Sequence, residues 1–502
     1  MSETSIGTDV LIIGAGAAGL FAALHLPEGN DIIVVDKGRK GQGSSPWAQG
    51  GLAAALGHDD SPELHAEDTL RVAAGHADLS AVQVLCTEAP ECVMELVELG
   101  CELDRAESGE LHLAREGGQS EARSVHAGDA TGAAIMKTLR THAARRVRRI
   151  EGACLKLAVV DGRCVGGWVV TDEGIVQIQA NSTVLATGGI GAIYPSTTNP
   201  AGATGDGIVL AWEAGAGLSD VEFVQFHPTA LDAGEGHQRV LITEALRGAG
   251  AHVVDSEGRR FLFEHHSDGE LAPRDVVARA ISNRRAWLDC RHLPGHLLEQ
   301  EFPTVMAGCR KHGIEPPRDL IPVTPAAHYF VGGIQTDLDG RASIPRLYAV
   351  GECSNTGAHG ANRLAGNSLA EALVFGRRTA WAISGQRASR TKKPLPDPPV
   401  LKDLKIPIDD AWAALHTITS KALWIDRDGS ALLTANEALE EFSLLPLSLD
   451  RPALELRSAA ITARLVARSA LLRQESRGGH HRRDFPEPDP HWAGVRLRLA
   501  RN

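Results

Sequence analysis

Short apolar runs and glycine-rich turns alternate at the start of the chain. Val10 to Ile13 is an apolar run that ends in Gly14, and a helical pattern follows until Pro27 stops it. A second apolar run, Ile32 to Val35, leads into Asp36. This order of strand, tight turn, helix and strand predicts a βαβ unit with two parallel strands.

The spacing of apolar positions changes further along the chain. From Cys154 to Ala180, short runs rich in Val and Ile are separated by two turns that contain Asp and Gly, which predicts an antiparallel meander. Thr183 to Ala186 follows as a buried strand. Between about Val221 and Phe330, short helical patterns mix with loops rich in His and Arg. A short apolar run at Leu347 to Val350 then predicts a strand like those at the start of the chain. The middle segment is therefore interpreted as an insertion.

The C-terminal part has helical spacing. Lys392 to Pro399, rich in Lys and Pro, is typical of a linker. Beyond it, Ile461, Leu465 and Leu472 are spaced for one face of a long helix, which predicts a helical bundle. The predicted fold class is α/β and α+β multidomain. Its parts are a Rossmann-like domain at residues 1–220 and 331–390, an inserted α+β capping domain at 221–330 and a C-terminal helical domain at 400–502.

Composition sets limits on size and partners. The chain has 502 residues and 43% apolar content, enough for about three domains with cores of their own. Fifty-one basic residues against 63 acidic ones give a net charge of −12. That balance argues against binding to nucleic acid or to an anionic membrane, because either needs a dominant positive field. The four arginines between positions 145 and 149 are interpreted as a solvated helix end.

The eight cysteines are scattered. They form no C-x-x-C pair and show no zinc or iron–sulfur spacing, so no metal is expected and a reduced, cytoplasmic location is favoured. No Lys or Arg precedes Val10, as a signal peptide would require. The apolar stretch from Val10 to Leu24 is too short and too rich in glycine to span a bilayer. We therefore expect no targeting or membrane segment.

The first turn carries a dinucleotide-binding pattern. Gly14, Gly16 and Gly19 form G-x-G-x-x-G between strand and helix, where small residues let the backbone approach a pyrophosphate and the helix N-terminus offers free N–H groups. Asp36 lies at the end of the second strand, where a carboxylate can accept hydrogen bonds from a ribose hydroxyl. Strand, turn, helix, strand and acid in this order predict a bound dinucleotide.

A second segment favours FAD over NAD. Gly351 and Glu352 follow the strand at Leu347 to Val350, and a loop rich in Gly and Asn leads to Ser368. An acid at this strand end suits the ribityl chain of an extended flavin dinucleotide, and a helix beginning near Ser368 can face the flavin pyrimidine. The alternative is an ordinary glycine loop. The Rossmann-like domain is thus predicted to be an FAD-binding domain.

The middle insertion is rich in side chains that bind carboxylates. An arginine suits a carboxylate because its planar fork donates two parallel hydrogen bonds. Taken singly, each of these residues is more often a surface or structural one. The segments are Gln225 to Thr229, Thr243 to Gly248, Pro273 to Asp275 and Ala327 to Tyr329, with Gly360 to Arg363 just outside.

Together and in this order, these segments resemble the superfamily of fumarate reductases, succinate dehydrogenases and L-aspartate oxidases, from about Asp9 to Pro486. The most specific matches are Ala48 to Gly51, Gln225 to Thr229, Gly269 to Asp275 and Gly357 to Leu369. The motifs and the resemblance together give the predicted FAD-binding residues: Gly14, Ala15, Gly16, Ala17, Ala18, Gly19, Asp36, Lys37, Ser44, Ser45, Gln49, Gly50, Gly51, Asp206, Glu352, Ser368 and Leu369.

Three features make the chain most similar to the L-aspartate oxidase family. Ser44 stands where the membrane-complex flavoproteins carry a histidine joined to the flavin, which implies noncovalent FAD. The loop from Arg115 to Ser120 contains Glu116, which the succinate enzymes lack and which would pair with a substrate ammonium group. The tail from Glu475 to Gly478 is similar to the end of that family's helical domain. Trp424 to Ala438 departs from the pattern, which leaves the packing of the bundle open.

The resemblance implies oxidation of L-aspartate to iminoaspartate by hydride transfer to flavin N5, with oxygen or fumarate as electron acceptor. The product would pass to quinolinate synthase in NAD biosynthesis. Arg274 would act in proton transfer, although an arginine is a poor base in isolation because its guanidinium group keeps its proton, and it serves equally as an electrostatic clamp. The residues implied to hold the dicarboxylate substrate are His227, Thr243, Glu244, His328 and Arg363.

Two other functions remain open at this stage. One is a soluble fumarate reductase, or the flavoprotein subunit of a succinate dehydrogenase-type complex that passes electrons to a partner. The other is a flavin-binding scaffold without catalysis, which fits poorly with so many carboxylate-binding groups in one ordered set.

Overall fold

A computed structural model describes residues 4–38, 43–233, 238–386, 396–402 and 406–501, so the predicted linker at Lys392 to Pro399 falls largely outside the described residues. The strands are β1 (Thr4–Ile13), β2 (Ile32–Asp36), β3 (Leu52–Ala53), β4 (Leu113–Ala114), β5 (Ser124–Val125), β6 (Arg148–Glu151), β7 (Ala153–Val160), β8 (Arg163–Thr171), β9 (Gly174–Leu185), β10 (Leu218–Ser219), β11 (Val224–Leu231), β12 (His252–Val254), β13 (Ala286–Asp289), β14 (Ile321–Phe330), β15 (Gly333–Gln335), β16 (Leu347–Ala349), β17 (Ser354–Asn355), β18 (Asp426–Arg427), β19 (His481–Arg482) and β20 (Arg498–Leu499). The helices are α1 (Ala17–His25), α2 (Pro62–Val72), α3 (Leu79–Glu98), α4 (Thr131–Ala143), α5 (Asp206–Ala214), α6 (Glu244–Gly248), α7 (Arg274–Ser282), α8 (Gly295–Glu301), α9 (Pro303–Lys311), α10 (Asn367–Ser384), α11 (Ile408–Ala422), α12 (Gly429–Ser443) and α13 (Arg451–Leu472).

The N-terminal βαβ unit forms as predicted. β1 and β2 pair in parallel, with Val10 opposite Ile32, and α1 connects them. Gly14 sits in the turn with φ +116°, and a Cβ there would collide with the carbonyl oxygen of Ala186. Only glycine satisfies both conditions, because other residues rarely adopt this backbone conformation.

The central sheet joins the predicted βαβ unit and the predicted meander. Its strand order is β6-β2-β1-β9-β8-β7, and β16 also pairs with β9. β9 pairs with β8 in antiparallel fashion and with β1 and β16 in parallel. The last strand of the meander and the strand predicted at Thr183 to Ala186 are thus one long strand, β9. The carboxyl ends of β1, β2, β9 and β16 meet at one edge, where ligands of open α/β sheets bind.

Two sequence-based interpretations are wrong in part. The first is the basic run, which does not form the end of a helix. α4 stops at Ala143, and Arg148 and Arg149 belong to β6 at the sheet edge. There they pair with Asp31 at 2.6 Å and Asp36 at 2.8 Å, so neighbouring acids and strand pairing override the helical pattern. The second is the helix face assigned to Ile461, Leu465 and Leu472. Leu472 is 50% exposed and does not share the buried face, because it is the last residue of α13.

The inserted segment forms its own antiparallel sheet, in the order β11-β14-β13-β12, with α6 to α9 packed around an apolar core. Its two connections to the central domain run through Val221–Phe223 before β11 and Val331–Gly332 after β14. Every residue of β11 is buried, so this strand is held on both faces. β11 and β14 therefore carry their side chains into the space between the two domains.

The C-terminal region is helical from Ile408 to Leu472. The chain then winds back: β19 pairs with β18, and β20 pairs with β10 of the central domain. No helix in the described ranges is long and apolar enough to cross a membrane.

A buried ion cluster fastens this returning tail to the turn at Glu222 that leads into β11. Arg473 donates to Glu222 at 2.5 Å and to Glu475 at 2.9 Å, and all three side chains are inaccessible to solvent. Arg477 adds a bond of 2.8 Å to Glu475 and donates to the carbonyl of Ala74. The cluster connects three segments that are distant in sequence, so it fixes the base of the inserted domain.

We predict that Arg473→Met destabilises the protein by about 3–5 kcal/mol, because it leaves the buried carboxylate of Glu222 without its counter-charge and removes one of the two arginines that pair with Glu475. Chemical unfolding followed by circular dichroism measures the change. The matched control is Arg310→Met, which removes an exposed arginine that also pairs with two glutamates and should change stability far less. Equal losses in the two variants would contradict the role given to the buried cluster.

Candidate active site

One cavity of about 590 Å³ lies at the carboxyl edge of the central sheet, beneath the inserted domain. Its wall brings together the two sets of residues that the sequence predicts. From the predicted cofactor set it contains Gly14, Ala15, Gly16, Ala17, Ala18, Asp36, Lys37, Ser44, Ser45, Gln49, Gly50, Gly51, Asp206, Glu352, Ser368 and Leu369. From the predicted substrate set it contains Glu116, His227, Thr243, Glu244, Arg274, His328 and Arg363.

Gly19 is the one predicted residue that does not line the cavity. It lies in α1, where a Cβ would collide with the carbonyl oxygen of Gly14 and press on Ala186. Its absence of a side chain lets the helix pack closely on the strands. Gly19 therefore supports the glycine-rich turn through close packing of α1 and not through the cavity wall.

The glycine-rich turn is braced by the loop around Ser45. The Ser45 hydroxyl accepts a hydrogen bond of 3.1 Å from the backbone N–H of Ala17, in the first turn of α1. Asp36 closes the other side of the turn, bonded to Arg149 at 2.8 Å and to the N–H of Gly38 at 3.2 Å. A carboxylate has about four lone-pair sites, so Asp36 can still accept from a ligand hydroxyl.

The C-terminal helical region contributes to the same wall. Lys37 contacts Asp206 at 2.5 Å and Glu455 of α13 at 3.1 Å, and it donates to Thr204 at 2.9 Å. Burial alone would lower the pKa of Lys37, but the two carboxylates outweigh it and raise that pKa. Lys37 is thus a fixed cation at this end of the cavity.

Glu352 occupies the opposite wall, after β16. Its carboxylate accepts the N–H of Phe330 at 2.9 Å and packs against Gly189, where any side chain would collide with it. Burial raises the pKa of Glu352 to about 7. The group therefore holds its proton over most of the acidic range.

Two arginines meet at the inner end of the cavity. Arg274, the first residue of α7, donates from Nη1 to the side-chain oxygen of Gln225 at 3.1 Å, and Arg363 donates from Nη2 to the same oxygen at 3.0 Å. The amide nitrogen of Gln225 donates to Asn362 at 2.8 Å and to the carbonyl of Arg363 at 2.7 Å, which fixes its orientation. Burial and the charge of Arg274 lower the pKa of Arg363 to about 10.

Glu244 is the counter-charge of this pair. It bonds Nε of Arg274 at 2.6 Å and Arg247 at 3.1 Å. Burial alone would favour the neutral acid, yet Arg274 and Arg247 bring the pKa of Glu244 down to about 2. Glu244 is therefore ionised, and Gly117 is required beside it because any side chain would collide with the carboxylate. An ionised Glu244 repels a substrate carboxylate, so the expectation that it binds one directly is disfavoured.

Two neutral histidines face the arginines. The N–H of Thr229 donates to Nδ1 of His227 at 3.2 Å, so the proton of the neutral ring lies on Nε2. Nδ1 of His328 bonds the hydroxyl of Thr198 at 2.7 Å, and the two rings are 5.1 Å apart between centroids. Burial and the neighbouring charges lower the pKa of both histidines well below the ordinary value. His227 can therefore donate to an oxygen anion from Nε2 without carrying charge, and His328 can do so in the tautomer whose Nδ1 accepts from Thr198.

Glu116 approaches the arginines from the central domain. It accepts the N–H of Gly51 at 2.8 Å, and its own N–H donates to the Gln119 side chain at 2.9 Å. Burial raises the pKa of Glu116, and the hydrogen bond from the N–H of Gly51 opposes that rise. Thr243 caps α6 by accepting from the N–H of Ala245 at 3.4 Å, which turns its side chain toward the cavity.

Several residues that shape the cavity are not singled out by the sequence. Gln225, Arg247 and Tyr329 lie in the segments predicted to bind carboxylates, but nothing in a lone sequence ranks them above their neighbours. Glu455 gives no signal, because its place beside Lys37 depends on the packing of α13. In the described part of the chain, no group of His, Cys, Asp or Glu could hold a metal ion.

The family model described as "FAD binding domain" matches residues 9–369, and the model "Fumarate reductase flavoprotein C-term" matches residues 451–500. An L-aspartate oxidase of Nostoc sp. is 42% identical over 96% of this chain and 92% of its own length. An L-aspartate oxidase of Caulobacter vibrioides is 43% identical over 97% of this chain and 94% of its own. An L-aspartate oxidase of Streptomyces coelicolor is 41% identical over 97% and 90%.

Solved structures share the whole fold. A variant of E. coli quinol fumarate reductase FrdA superposes with a TM-score of 0.89 at 29% identity, covering 97% of this chain and 93% of that one. A quinol-fumarate reductase with menaquinol molecules gives a TM-score of 0.90 at 28% identity, covering 99% and 98%. Both neighbours have the α/β and α+β multidomain fold predicted from the sequence.

We predict that Glu352→Gln stabilises the cofactor-free protein at pH 8. The folded-state pKa of about 7 lies above the ordinary 4.5, so the stability tied to the bound proton is complete below pH 4.5 and lost as pH rises through 7. Glutamine avoids that loss, by at most about 3 kcal/mol at pH 8. Melting curves from pH 5 to pH 8 should show the advantage growing with pH. An advantage that is constant with pH would contradict this assignment.

Proposed function

The chain belongs to the L-aspartate oxidase family of flavoproteins, and we propose that the arginines and histidines at the inner end of its cavity hold L-aspartate for FAD-dependent oxidation. The reaction is oxidation of L-aspartate to iminoaspartate, which places the enzyme in NAD biosynthesis. The observation that carries the assignment of roles is the pairing of Arg274 and Arg363 on one oxygen of Gln225. Two cations in this position suit a four-carbon diacid.

The cavity fits FAD on its own geometry. Gly14 lets the turn lie against Ala186, Gly14 and Gly16 line the cavity at the N-terminus of α1, and Lys37 is held as a cation in the same wall. Glu352 at the far wall suits a ribityl hydroxyl, with the helix that follows Gly366 beyond it. When bound, FAD supplies the acceptor for the hydride on the substrate Cα. Ser44 offers no ring nitrogen for a flavin bond, so we propose noncovalent binding.

The charge balance at the inner end selects anions. Arg247, Arg274 and Arg363 are buried there, and Glu244 is the carboxylate held ionised between two of them. Burial of charge without compensation is costly. A dicarboxylate substrate supplies the missing negative charge, while His227 and His328 donate neutral hydrogen bonds to its oxygens. Thr243 adds a hydroxyl at the cavity wall.

Glu116 gives selectivity for an amino acid. The buried carboxylate forms no ion pair among the described residues, and burial raises its pKa although Arg274 favours the ionised form. A substrate ammonium group beside it would complete a pair and pull Glu116 into the ionised state. Succinate and fumarate have no group to do so.

Arg274 has the surroundings that either of its two suggested roles requires. For the role of a clamp, Arg274 lines the cavity, and its hydrogen bonds to Gln225 and Glu244 fix the orientation of its guanidinium group. As a route for a proton, it needs an adjacent acid, and Glu244 at 2.6 Å followed by Arg247 at 3.1 Å provides a continuous path. We propose that the clamp acts on L-aspartate and that the path serves reduction of fumarate.

The division into domains remains our proposal, with residues 221–330 as the capping domain that closes over the substrate. We also propose that oxygen or fumarate reoxidises the flavin. Iminoaspartate hydrolyses readily in water, which favours direct consumption by quinolinate synthase. The cysteines are free, and all but Cys154 are buried, as suits a reducing cytoplasm.

We predict that Glu116→Gln lowers kcat/KM for L-aspartate by about tenfold or more, because it removes the charge opposite the ammonium group. Fumarate reduction by the chemically reduced enzyme should change by less than about threefold. Steady-state oxidation and anaerobic fumarate turnover measure the two activities. The control is Glu110→Gln, which changes an exposed glutamate shortly before the loop that carries Glu116. Equal loss of both activities in Glu116→Gln would reject the selective role.

A further inference from the structure

Tyr329 lines the cavity beside Arg363 and has no part in the function proposed above. The central guanidinium carbon of Arg363 lies 4.5 Å from the centroid of its ring. We propose that Tyr329 is a positioning residue: the face of its ring holds Arg363 in the plane that binds the substrate carboxylate. The inference rests on the proposed function in one respect, that the ligand is a dicarboxylate.

Arg363 needs support on its face. Its edges are held by Gln225 at 3.0 Å and by the carbonyl of Leu364 at 3.3 Å, and its Nε has no hydrogen-bond partner among the described residues. The charge of Arg274 repels it and helps to lower its pKa. An aromatic face attracts a cation most strongly when both are desolvated, as here. The ring therefore opposes rotation of Arg363 out of the cavity wall.

The ring of Tyr329 is itself fixed from behind. Its hydroxyl donates to Glu371 of α10 at 2.9 Å, and Glu371 also contacts His359 at 3.0 Å and accepts from Thr356 at 2.7 Å. All four side chains are buried. Burial and the charge of Glu371 raise the pKa of Tyr329 well above its ordinary value, so the phenol stays neutral. Two separate segments, α10 and the loop from Thr356 to His359, thus determine where the ring lies.

A catalytic role for the phenol does not fit this arrangement. Its proton points to Glu371, away from the arginines, and that carboxylate has two further partners. The part of Tyr329 that meets Arg363 is the ring face. Tyr329 therefore acts through Arg363, and the consequence should appear in binding of the diacid more than in the rate of oxidation.

The test compares Tyr329→Phe with Tyr329→Leu in the FAD-loaded enzyme. Succinate is the binding probe, followed by its perturbation of the flavin absorbance, and L-aspartate kinetics supply KM and kcat. Tyr329→Phe keeps the ring and should bind succinate within about threefold of the unsubstituted enzyme. Tyr329→Leu should weaken succinate and raise KM by about tenfold or more, with kcat changed less. Tyr348→Phe, a buried tyrosine that bonds Gln386 away from the cavity, is the control.

A second series keeps the shape of the ring and guards against misfolding. Phenylalanine at position 329 is replaced by its mono-, di- and trifluorinated forms, which weaken the negative ring face with little change in size. The succinate Kd should rise stepwise, by about threefold or more over the series. A flat series overturns the inference, as does Tyr329→Phe weakening succinate as much as Tyr329→Leu.

Failure of the proposed function would look different. In that case the unsubstituted enzyme itself would show no flavin perturbation by succinate and no reduction by L-aspartate. If the unsubstituted enzyme shows both responses and Tyr329→Leu matches it, only the positioning role of Tyr329 is lost.

Discussion

Two buried guanidinium groups that share a single acceptor are the constraint on which the site depends. Arg274 and Arg363 both donate to the side-chain oxygen of Gln225, and like charges so close together repel in a medium with little water. Glu244 offsets part of that repulsion through Arg274 and Arg247. The rest is offset when a dianion binds. This charge balance supports the proposal that the cavity takes a ligand with two carboxylates.

The fold brings three segments that are distant in sequence together at the arginine pair. β11 supplies Gln225, the start of α7 supplies Arg274, and the loop before α10 supplies Arg363. The first two lie within residues 221–330, which we propose to be the capping domain, and the third lies outside that range, so the arginine pair joins the two parts. The buried cluster around Arg473 fixes the turn at Glu222 that precedes β11. Stability at the base of the inserted domain and geometry at the substrate site are thus physically connected.

Local patterns predict the cofactor end of the cavity well, because the chemistry there is carried by consecutive residues. The turn at Gly14 and the acid at Glu352 each follow a strand, and both line the cavity. The superfamily resemblance supplies most of the substrate end, including Arg363. Gly19 shows the limit of motif reading: it belongs to the pattern but serves helix packing.

The features that the sequence does not reveal come from contacts between distant segments. Glu455 reaches Lys37 across more than four hundred positions, and Arg149 pairs with Asp36 only because β6 joins the sheet edge. Tyr329 of β14 and Glu371 of α10 form a hydrogen bond although they are distant in sequence. Pairings of this kind depend on tertiary structure, so a single sequence cannot specify them.

The most direct test of the account is anaerobic mixing of the FAD-loaded enzyme with L-aspartate, L-glutamate and succinate in turn, while the flavin absorbance is followed. The paired arginines together with Glu116 predict rapid bleaching by L-aspartate, none by the longer L-glutamate, and only a spectral perturbation by succinate. Bleaching by succinate with no response to L-aspartate would contradict the account.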